Sequence, residues 1–574
     1  MTPVRATDPA AMSCDLLVVG SGASGLATAV TAAWHGLKVI VVEKAPVFGG
    51  ATAWSGGWMW VPGNPLAKRA GIDESPQQPR TYLKNELGKR YDPARIDAFL
   101  DNCGPMVAFF EEHTALQFVD GNAIPDVHGR VAGAATQGHQ VIAAPYDGRE
   151  LGTLNARLRR TMRETSLIGM PIMAGPDLMA FLSMTRSFKS LLHVAKRLCR
   201  HLLDLAVYGR AMQLVNGVAL VARLAKSADK LGVRLIESAP AKRLILDNGA
   251  VLGAVVAAAG GEIEIRAAKG VVLAAGGFPN DVPRRKALFP RTPTGQEHLA
   301  LPPETCSGDG ITLGESAGGS LFTDIASPVA WAPVSRVQHP DGSIGHFPHI
   351  IDRAKPGVIG VLSNGKRFVN EADGYYDYTA AMVAAAPQDE EVASWLICDH
   401  RFQRRYGLGY AKPFPVPLAP YIRAGYLKRA ASVEELARIC GIAPNALTDT
   451  VKAFNEHARH GEDPEFGRGS TPYNRKQGDP LHGPNPCVAP IEKGPFYAVK
   501  VLPGSFGTFA GLKTNGHAQV LGRDDRPVEG LYAVGADMAS VMGGFYPSGG
   551  INLGPAMTFG YIVGRHAAGA TGGG

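Results

Sequence analysis

The chain has 574 residues, with 58 Lys and Arg against 51 Asp and Glu, a net charge of +7. At about 150 residues per domain this length predicts roughly two to four domains. A hydrophobic share of 45% and a charged share of 19% exclude a disordered chain. The small positive excess, with no zinc-finger spacing or basic-aromatic cluster, excludes a nucleic-acid binder. Glycine stands out at 70 residues without a Gly-X-Y period, so collagen is excluded and the glycines are expected in tight turns and at close backbone approaches. The seven cysteines (Cys14, Cys103, Cys199, Cys306, Cys398, Cys440, Cys487) lie far apart with no C-x-x-C pair. That pattern predicts reduced thiols in a cytoplasmic protein, with no disulfide frame and no metal site. The first 13 residues carry no apolar signal core, and no apolar run is long enough to cross a membrane as a helix.

In chain order, Asp15 to Gly20 is a short apolar run stopped by glycine, a buried parallel strand. Residues 24–36 carry Ala and Leu at helical spacing, and Lys38 to Glu43 is a second buried strand, which completes a βαβ unit. Residues 186–210 form a basic amphipathic helix or helix pair. Arg186, Lys189, Lys196, Arg197, Arg200 and Arg210 stand among Leu191, Leu192, Leu198, Leu202 and Leu203, with Asp204 as the acid. Two readings apply to this segment: a helix packed on the main domain with a solvated basic face, or a peripheral foot on an anionic inner membrane face. Lys242 to Ile265 reads as a β-meander turning at Asn248-Gly249. Gly270 to Gly277 and Gly530 to Gly535 read as further buried strands. Residues 400–500 read as irregular apart from one helical stretch around 433–460. One doubly wound α/β sheet is therefore expected to draw strands from both ends of the chain around an inserted α+β unit. The expected division is 13–330 with 503–574 for the first unit and 331–502 for the insert.

Gly20-Ser-Gly22-Ala23-Ser24-Gly25 fits G-x-G-x-x-G, follows a strand and opens a helix, and Glu43 ends the next strand 18 positions later. This is the dinucleotide-binding context: a tight turn, backbone N–H groups close to a pyrophosphate at a helix N-terminus, and a carboxylate for the ribose. Past Glu43-Lys44 the chain runs Gly49-Gly50-Ala51-Thr52-Ala53-Trp54-Ser55-Gly56-Gly57. Glycines and small hydroxyl residues there suit an extended FAD better than NAD. Ser307 to Gly310 with Asp309, and Gly535-Ala536-Asp537, add glycine–carboxylate turns, and Asn552-Leu553 open a C-terminal helix start near the flavin. Ala241 and Gly276 complete the expected cofactor set. No attachment histidine is indicated, so the FAD is expected to be non-covalent. No second G-x-G-x-x-G follows a strand, so the electron partner is expected to be a substrate or an external acceptor such as a quinone.

Together these motifs, with Asn370-Glu371 and Gly535 to Gly560, resemble the fumarate reductase/3-ketosteroid dehydrogenase group of flavoproteins. The resemblance implies an FAD domain split in sequence with an inserted catalytic domain over the flavin. Within the group, the fumarate reductase branch carries His-Thr-x-Gly-Gly and a later arginine that clamp a dicarboxylate. Here Gly507 replaces that histidine and Gly544 to Gly550 holds no arginine, so that branch is discounted. Tyr546-Pro547-Ser548-Gly549-Gly550 looks like the ketone-binding loop of the 3-oxosteroid 1-dehydrogenase branch, which implies that the Tyr546 hydroxyl and the Gly550 N–H hold a ketone oxygen. The same branch places a tyrosine base after Asn-Glu. Tyr375, Tyr376 and Tyr378 follow here, and spacing favours Tyr375 with Tyr376 next. A supporting tyrosine that the branch carries in a Pro-Asp-Tyr segment is absent from Pro125-Asp126-Val127-His128, and His128 is a candidate stand-in.

The chemistry this implies is abstraction of an α-proton by a base, stabilisation of the enolate by two donors, and delivery of the β-hydrogen to flavin. The leading expectation is dehydrogenation of a 3-ketosteroid. The alternatives are the same chemistry on a smaller ring such as cyclohexanone, and a flavoprotein electron-transfer subunit whose substrate contacts belong to a partner.

Overall fold

Two four-residue apolar runs, Leu16–Val19 and Val39–Val42, are buried on both faces and form the centre of a six-stranded sheet. The computed structural model describes residues 12–258 and 260–570, so the expectation for the leading residues falls mostly on residues outside the described ones. The sheet order is Gln519–Leu521, Pro527–Ala533, Val271–Leu273, Leu16–Val19, Val39–Val42, Arg234–Ile236. Five of its strands are mutually parallel and the edge strand Gln519–Leu521 is antiparallel. Strands from both ends of the chain thus share one sheet.

Helix Ala23–Trp34 returns across this sheet and packs on the C-terminal helix Leu553–Ala567. The two backbones approach closely: a Cβ at Gly560 would lie 2.7 Å from the Ser24 carbonyl oxygen, so only glycine fits. The expected meander is present as Ala241–Asp247, Ala250–Ala258 and Gly261–Ala267. Asn248 and Gly249 both have positive φ, 50° and 87°, as a two-residue hairpin turn of the primed type requires.

A second sheet has seven strands. Its long strand Phe496–Thr508 pairs with Val329–Gln338 and Ser394–Cys398 and also receives the short strands Leu299–Ala300 and Lys428–Ala430. Val329–Gln338 and Phe496–Thr508 run through both expected junctions, 330/331 and 502/503. The stretch around 433–460 is two helices, Val433–Cys440 and Pro444–Ala458, where one was expected. Gly441 at φ 70° ends the first in a left-handed C-cap, and Pro444 starts the second at a position that needs no N–H.

Residues 186–210 hold a single helix, Phe188–Tyr208, capped by the Ser187 hydroxyl and ended by left-handed Gly209. Val194, His201 and Asp204 face inward, while Phe188 is 74% exposed and Leu191, Leu192, Leu202, Leu203 and Val207 are also exposed. The outward stripe is therefore apolar, bordered by Lys189, Lys196 and Arg200, and not simply a solvated basic face.

Candidate active site

One cavity of about 1760 Å³ runs from the glycine turn after the first strand to a cluster of tyrosines. At the first end lie Gly20, Gly22, Ala23, Ser24, Glu43, Lys44, Gly50, Ala51, Thr52, Ser55, Gly56, Gly57, Ala241, Gly276, Asp309, Gly535 and Ala536, as expected from sequence. Helix Ala23–Trp34 has no side-chain N-cap. Among the described residues the Gly22 and Ser24 N–H groups make no hydrogen bond, while the Ala23 N–H donates to the Thr52 hydroxyl at 3.0 Å. Unpaired donors at a helix N-terminus are the partners a pyrophosphate takes. The Glu43 carboxylate is fixed by the Ser21 hydroxyl at 2.5 Å and the Ala45 N–H at 2.8 Å. Lys44 donates to Ser307 and Asp309 at 2.6 and 2.8 Å and so ties the second strand to the 307–310 turn.

Two expected cofactor residues do not line the cavity. Gly25 faces the sheet, where a Cβ would lie 2.1 Å from the Gly20 carbonyl oxygen; its glycine serves helix-on-strand packing. Asp537 is fully buried and accepts from the Ala275 and Gly277 N–H groups at 2.5 and 2.8 Å, so it shapes the 275–277 turn from behind. Burial raises its carboxyl to about 6 against these two bonds.

At the other end, Tyr375, the first residue of helix Tyr375–Ala385, meets Tyr546. The Tyr375 hydroxyl donates to the Tyr546 hydroxyl at 2.5 Å. Both line the cavity, and so do Gly550, Asn552 and Leu553. The other two candidate tyrosines are committed elsewhere: Tyr376 donates to the Gly544 carbonyl at 2.9 Å, and Tyr378 is buried against the Ser394 hydroxyl at 2.9 Å. The Gly550 N–H has no acceptor among the described residues. Gly550 has φ 89°, and a Cβ there would meet the Trp60 nitrogen at 2.7 Å, so this loop needs glycine. The pairing of a glycine-lined nucleotide cradle with two hydroxyls and a free N–H at the far end fits a flavin and a carbonyl compound.

The family model described as FAD binding domain matches residues 15–553. The chain belongs to this FAD-binding family. Its members that it resembles include 4-oxocyclohex-2-ene-1-carboxylate 5-dehydrogenase of Sinomonas cyclohexanicum, 41% identical over 97% of this chain and 94% of that one. The 3-oxosteroid 1-dehydrogenase of Mycobacterium tuberculosis is 33% identical over 96% of this chain and 98% of that one. Among solved structures, the 3-ketosteroid delta1-dehydrogenase of Sterolibacterium denitrificans, in complex with 1,4-androstadiene-3,17-dione, superposes with a TM-score of 0.90 at 33% identity, covering 97% of this chain and all of that one. A flavocytochrome c3 fumarate reductase shares the fold, with a TM-score of 0.64 at 21% identity. FAD as cofactor and the resemblance to the 3-oxosteroid dehydrogenase branch are both borne out.

A buried cation that sequence reasoning missed also acts on the tyrosine end of this FAD-binding protein. Arg353 is buried, pairs with no carboxylate among the described residues, and donates only to the backbone carbonyls of His349, Glu371 and Asp373. Burial pushes Tyr375 well above the ordinary tyrosine range and Tyr546 adds to this, while the Arg353 charge pulls it back. Burial also raises Tyr546, to about 12, which keeps it a neutral donor. His128 does not stand beside Tyr375 in place of the missing tyrosine. Its ring lies between Glu86 at 2.9 Å and Asp377 at 3.2 Å. Burial alone would lower its pKa, but the two carboxylates win and raise it to about 10. Trp54 and Trp58 line the cavity, whereas Trp60 is fully buried and donates to Asp126 at 2.9 Å.

Proposed function

We propose that this chain is an FAD-dependent dehydrogenase that introduces a carbon–carbon double bond beside the carbonyl of a cyclic ketone, with a 3-oxosteroid as the leading substrate. The observation that carries this reading is the Tyr375–Tyr546 hydroxyl pair beside the free Gly550 N–H, in the same cavity as the nucleotide cradle. Tyr546 and the Gly550 N–H hold the ketone oxygen and stabilise the negative charge that develops on it, an arrangement worth on the order of 3 kcal/mol per donor. Tyr375 takes the α-proton. FAD, held without a covalent bond by Gly20 to Ser24, Glu43, Gly50 to Gly57 and Asn552-Leu553, supplies the acceptor for the β-hydrogen. The division into a flavin unit of 13–330 and 503–574 and a substrate unit of 331–502 fits this reading, since Tyr375 comes from the second and Tyr546 from the first.

The size of the cavity, about 1760 Å³ for cofactor and substrate together, supports a steroid-sized ring system. Its lining also takes in Phe347, Ile350, Pro413 and Phe414 and Val194 of helix Phe188–Tyr208. A second reading, a cyclohexanone-type carboxylate, is supported by the 41% identical relative and by Lys412. That lysine lines the cavity, lies over the Phe347 and Tyr410 rings, and has no carboxylate partner among the described residues. Burial lowers its amine to about 8, which still leaves it mostly charged at neutral pH and able to pair with a substrate carboxylate. Reoxidation then falls to an external acceptor such as a quinone, and the apolar outer stripe of Phe188–Tyr208 with its basic border is suited to weak contact with an anionic membrane surface.

The deciding experiment offers 4-androstene-3,17-dione and 4-oxocyclohexanecarboxylate to the holoprotein with a dye acceptor and weighs the products by mass spectrometry. Loss of two mass units from the steroid supports the leading reading. Loss from the carboxylate alone supports the second. Bleaching of the lone chain's flavin by either ketone excludes an electron-transfer subunit.

A further inference from the structure

A second cavity, of about 700 Å³, adjoins the first, since Trp54 and Thr161 line both. Four arginines line it: Arg159, Arg160, Arg163 and Arg210. We propose that it is a binding site for a phosphoryl group, held by Arg159, Arg160 and Arg210 outside the cofactor cavity. The site does not depend on the dehydrogenase reading above.

Two segments build it. After the short helix Leu154–Arg157 the backbone pairs with Phe48: the Phe48 N–H donates to the Arg157 carbonyl and the Arg159 N–H donates to the Phe48 carbonyl, both at 2.9 Å. Trp54, at the end of the turn Ala51–Trp54, donates its indole N–H to the Arg160 carbonyl at 3.0 Å. These bonds fix the backbone that carries Arg159 and Arg160. Arg210 comes from beyond helix Phe188–Tyr208, one residue past the left-handed Gly209. Its guanidinium donates to the Asn155 carbonyl and, at 3.1 Å, to the Leu158 carbonyl.

The charge in this space is uncompensated. Glu164 is the one acid in the lining, and its carboxylate is taken by the buried His339 ring at 2.6 Å. Arg163 is spent on Asp341 at 2.7 Å. Among the described residues no carboxylate pairs with Arg159, Arg160 or Arg210, and the Arg159 and Arg160 side chains donate no hydrogen bond. The Arg159 guanidinium lies 5.4 Å from the Trp54 ring, and its buried Nε has no acceptor. The carbonyls that Arg210 meets satisfy its N–H groups and leave its charge; burial, and then the Arg160 charge, lower it to about 10. Three guanidiniums thus share one cavity and repel one another until an anion enters.

The shape of the donors selects the anion. Each guanidinium is a planar fork that grips two oxygens, and a phosphoryl group presents oxygens in several directions, so it serves three forks at once. A carboxylate has two oxygens in one plane and serves fewer. Two sources supply such a group. Tyr208, at the end of the helix with the exposed apolar stripe, also lines the site, which suits a phospholipid headgroup. A soluble phosphate ester carries the same chemistry.

The test titrates inorganic phosphate into the FAD-loaded full chain by calorimetry, with chloride at matched ionic strength as the blank. Saturable binding is expected, weakened about ten-fold or more in Arg159→Gln and in Arg160→Gln, each of which loses charge-assisted bonds. Arg163→Gln removes the same charge from an arginine already paired and is expected to stay within about two-fold of the unaltered protein. Melting temperature and flavin absorbance of each variant verify the fold. No phosphate binding beyond the chloride blank, full binding in both Arg159→Gln and Arg160→Gln, or an equal loss in all three variants overturns the site. Flotation with phosphatidylcholine vesicles that contain phosphatidylglycerol then separates the sources of a site that passes. Flotation lost in Arg159→Gln and Arg160→Gln but kept in Arg163→Gln identifies a headgroup, and flotation that is absent or equal in all identifies a soluble phosphate ester.

Discussion

Tyr375 and Tyr546 stand 171 positions apart and meet hydroxyl to hydroxyl at 2.5 Å, with their rings crossed at 69°. In this contact Tyr375 is the donor and Tyr546 the acceptor, so the Tyr546 proton is left to turn toward a third oxygen. Phe506 packs edge-on against Tyr375 at 5.2 Å and Phe509 lies 6.0 Å from Tyr546, which holds both rings in an apolar wall. The pair joins the helix that begins at Tyr375 to the C-terminal glycine loop.

Replacing Tyr546 by Phe removes one donor to the ketone and leaves the apolar contacts. FAD content is expected to be unchanged and turnover to fall ten-fold or more, taking the lost bond as about 1.5–3 kcal/mol. Steady-state rates with flavin absorbance measured on the same sample check this, and full activity would remove Tyr546 from the chemistry.

Tyr375→Phe is expected to abolish α-proton exchange of a bound ketone in deuterated buffer, whereas Tyr376→Phe loses only its bond to the Gly544 carbonyl and is expected to retain most of it. Mass spectrometry of recovered ketone distinguishes them. The reverse pattern would move the base by one residue.

The pH dependence has two signs. Burial raises Tyr375 above its ordinary range, so the reactive anion becomes more abundant as pH rises, and flavin bleaching is expected to accelerate from pH 7 toward 9. Stability is expected to move the other way. His128 and His139 are both raised to about 10, each because flanking carboxylates outweigh burial. A raised folded pKa gives stability that is complete below about 6.5 and is lost as pH climbs through the folded value. The melting temperature should therefore fall between pH 7 and 10, with a shallower slope in His128→Gln. A flat profile would mean that these rings are neutral in the fold.

The outer stripe of Phe188–Tyr208 predicts salt-sensitive flotation with anionic vesicles and none with neutral ones. Leu192→Glu with Leu203→Glu, both on exposed positions, should abolish binding without touching turnover of a soluble ketone. No flotation of the unaltered protein at low salt would leave the stripe without this role.

Much of the scaffold was legible because it depends on local rules. Apolar runs stopped by glycine gave the central strands, and Asn248-Gly249 gave the hairpin. The two tyrosines could be paired only through family motifs, since nothing in their own neighbourhoods says they meet. Arg353 escaped notice because its value lies in what surrounds it: a buried arginine without an acid partner among the described residues is a property of packing. Gly25 and Asp537 belong to the expected turns but face away from the cavity, because a motif specifies spacing and not which side of the turn a residue presents. The break at Gly441 to Pro444 was written in the chain, and the continuous apolar spacing around it masked the signal.

The C-terminal loop has a consequence for how such a protein changes its substrate. Gly544 has φ 87°, and a Cβ there would lie 2.5 Å from the Ser327 nitrogen; Gly550 is equally confined against Trp60. Neither position tolerates a side chain, so the end proposed to hold the carbonyl is fixed by backbone geometry. The opposite walls, at 161–175, 347–352 and 406–416, carry ordinary side chains and no such restriction along most of their length. Any laboratory effort to fit a larger or smaller ring therefore has its freedom in those walls and not in the glycine loop.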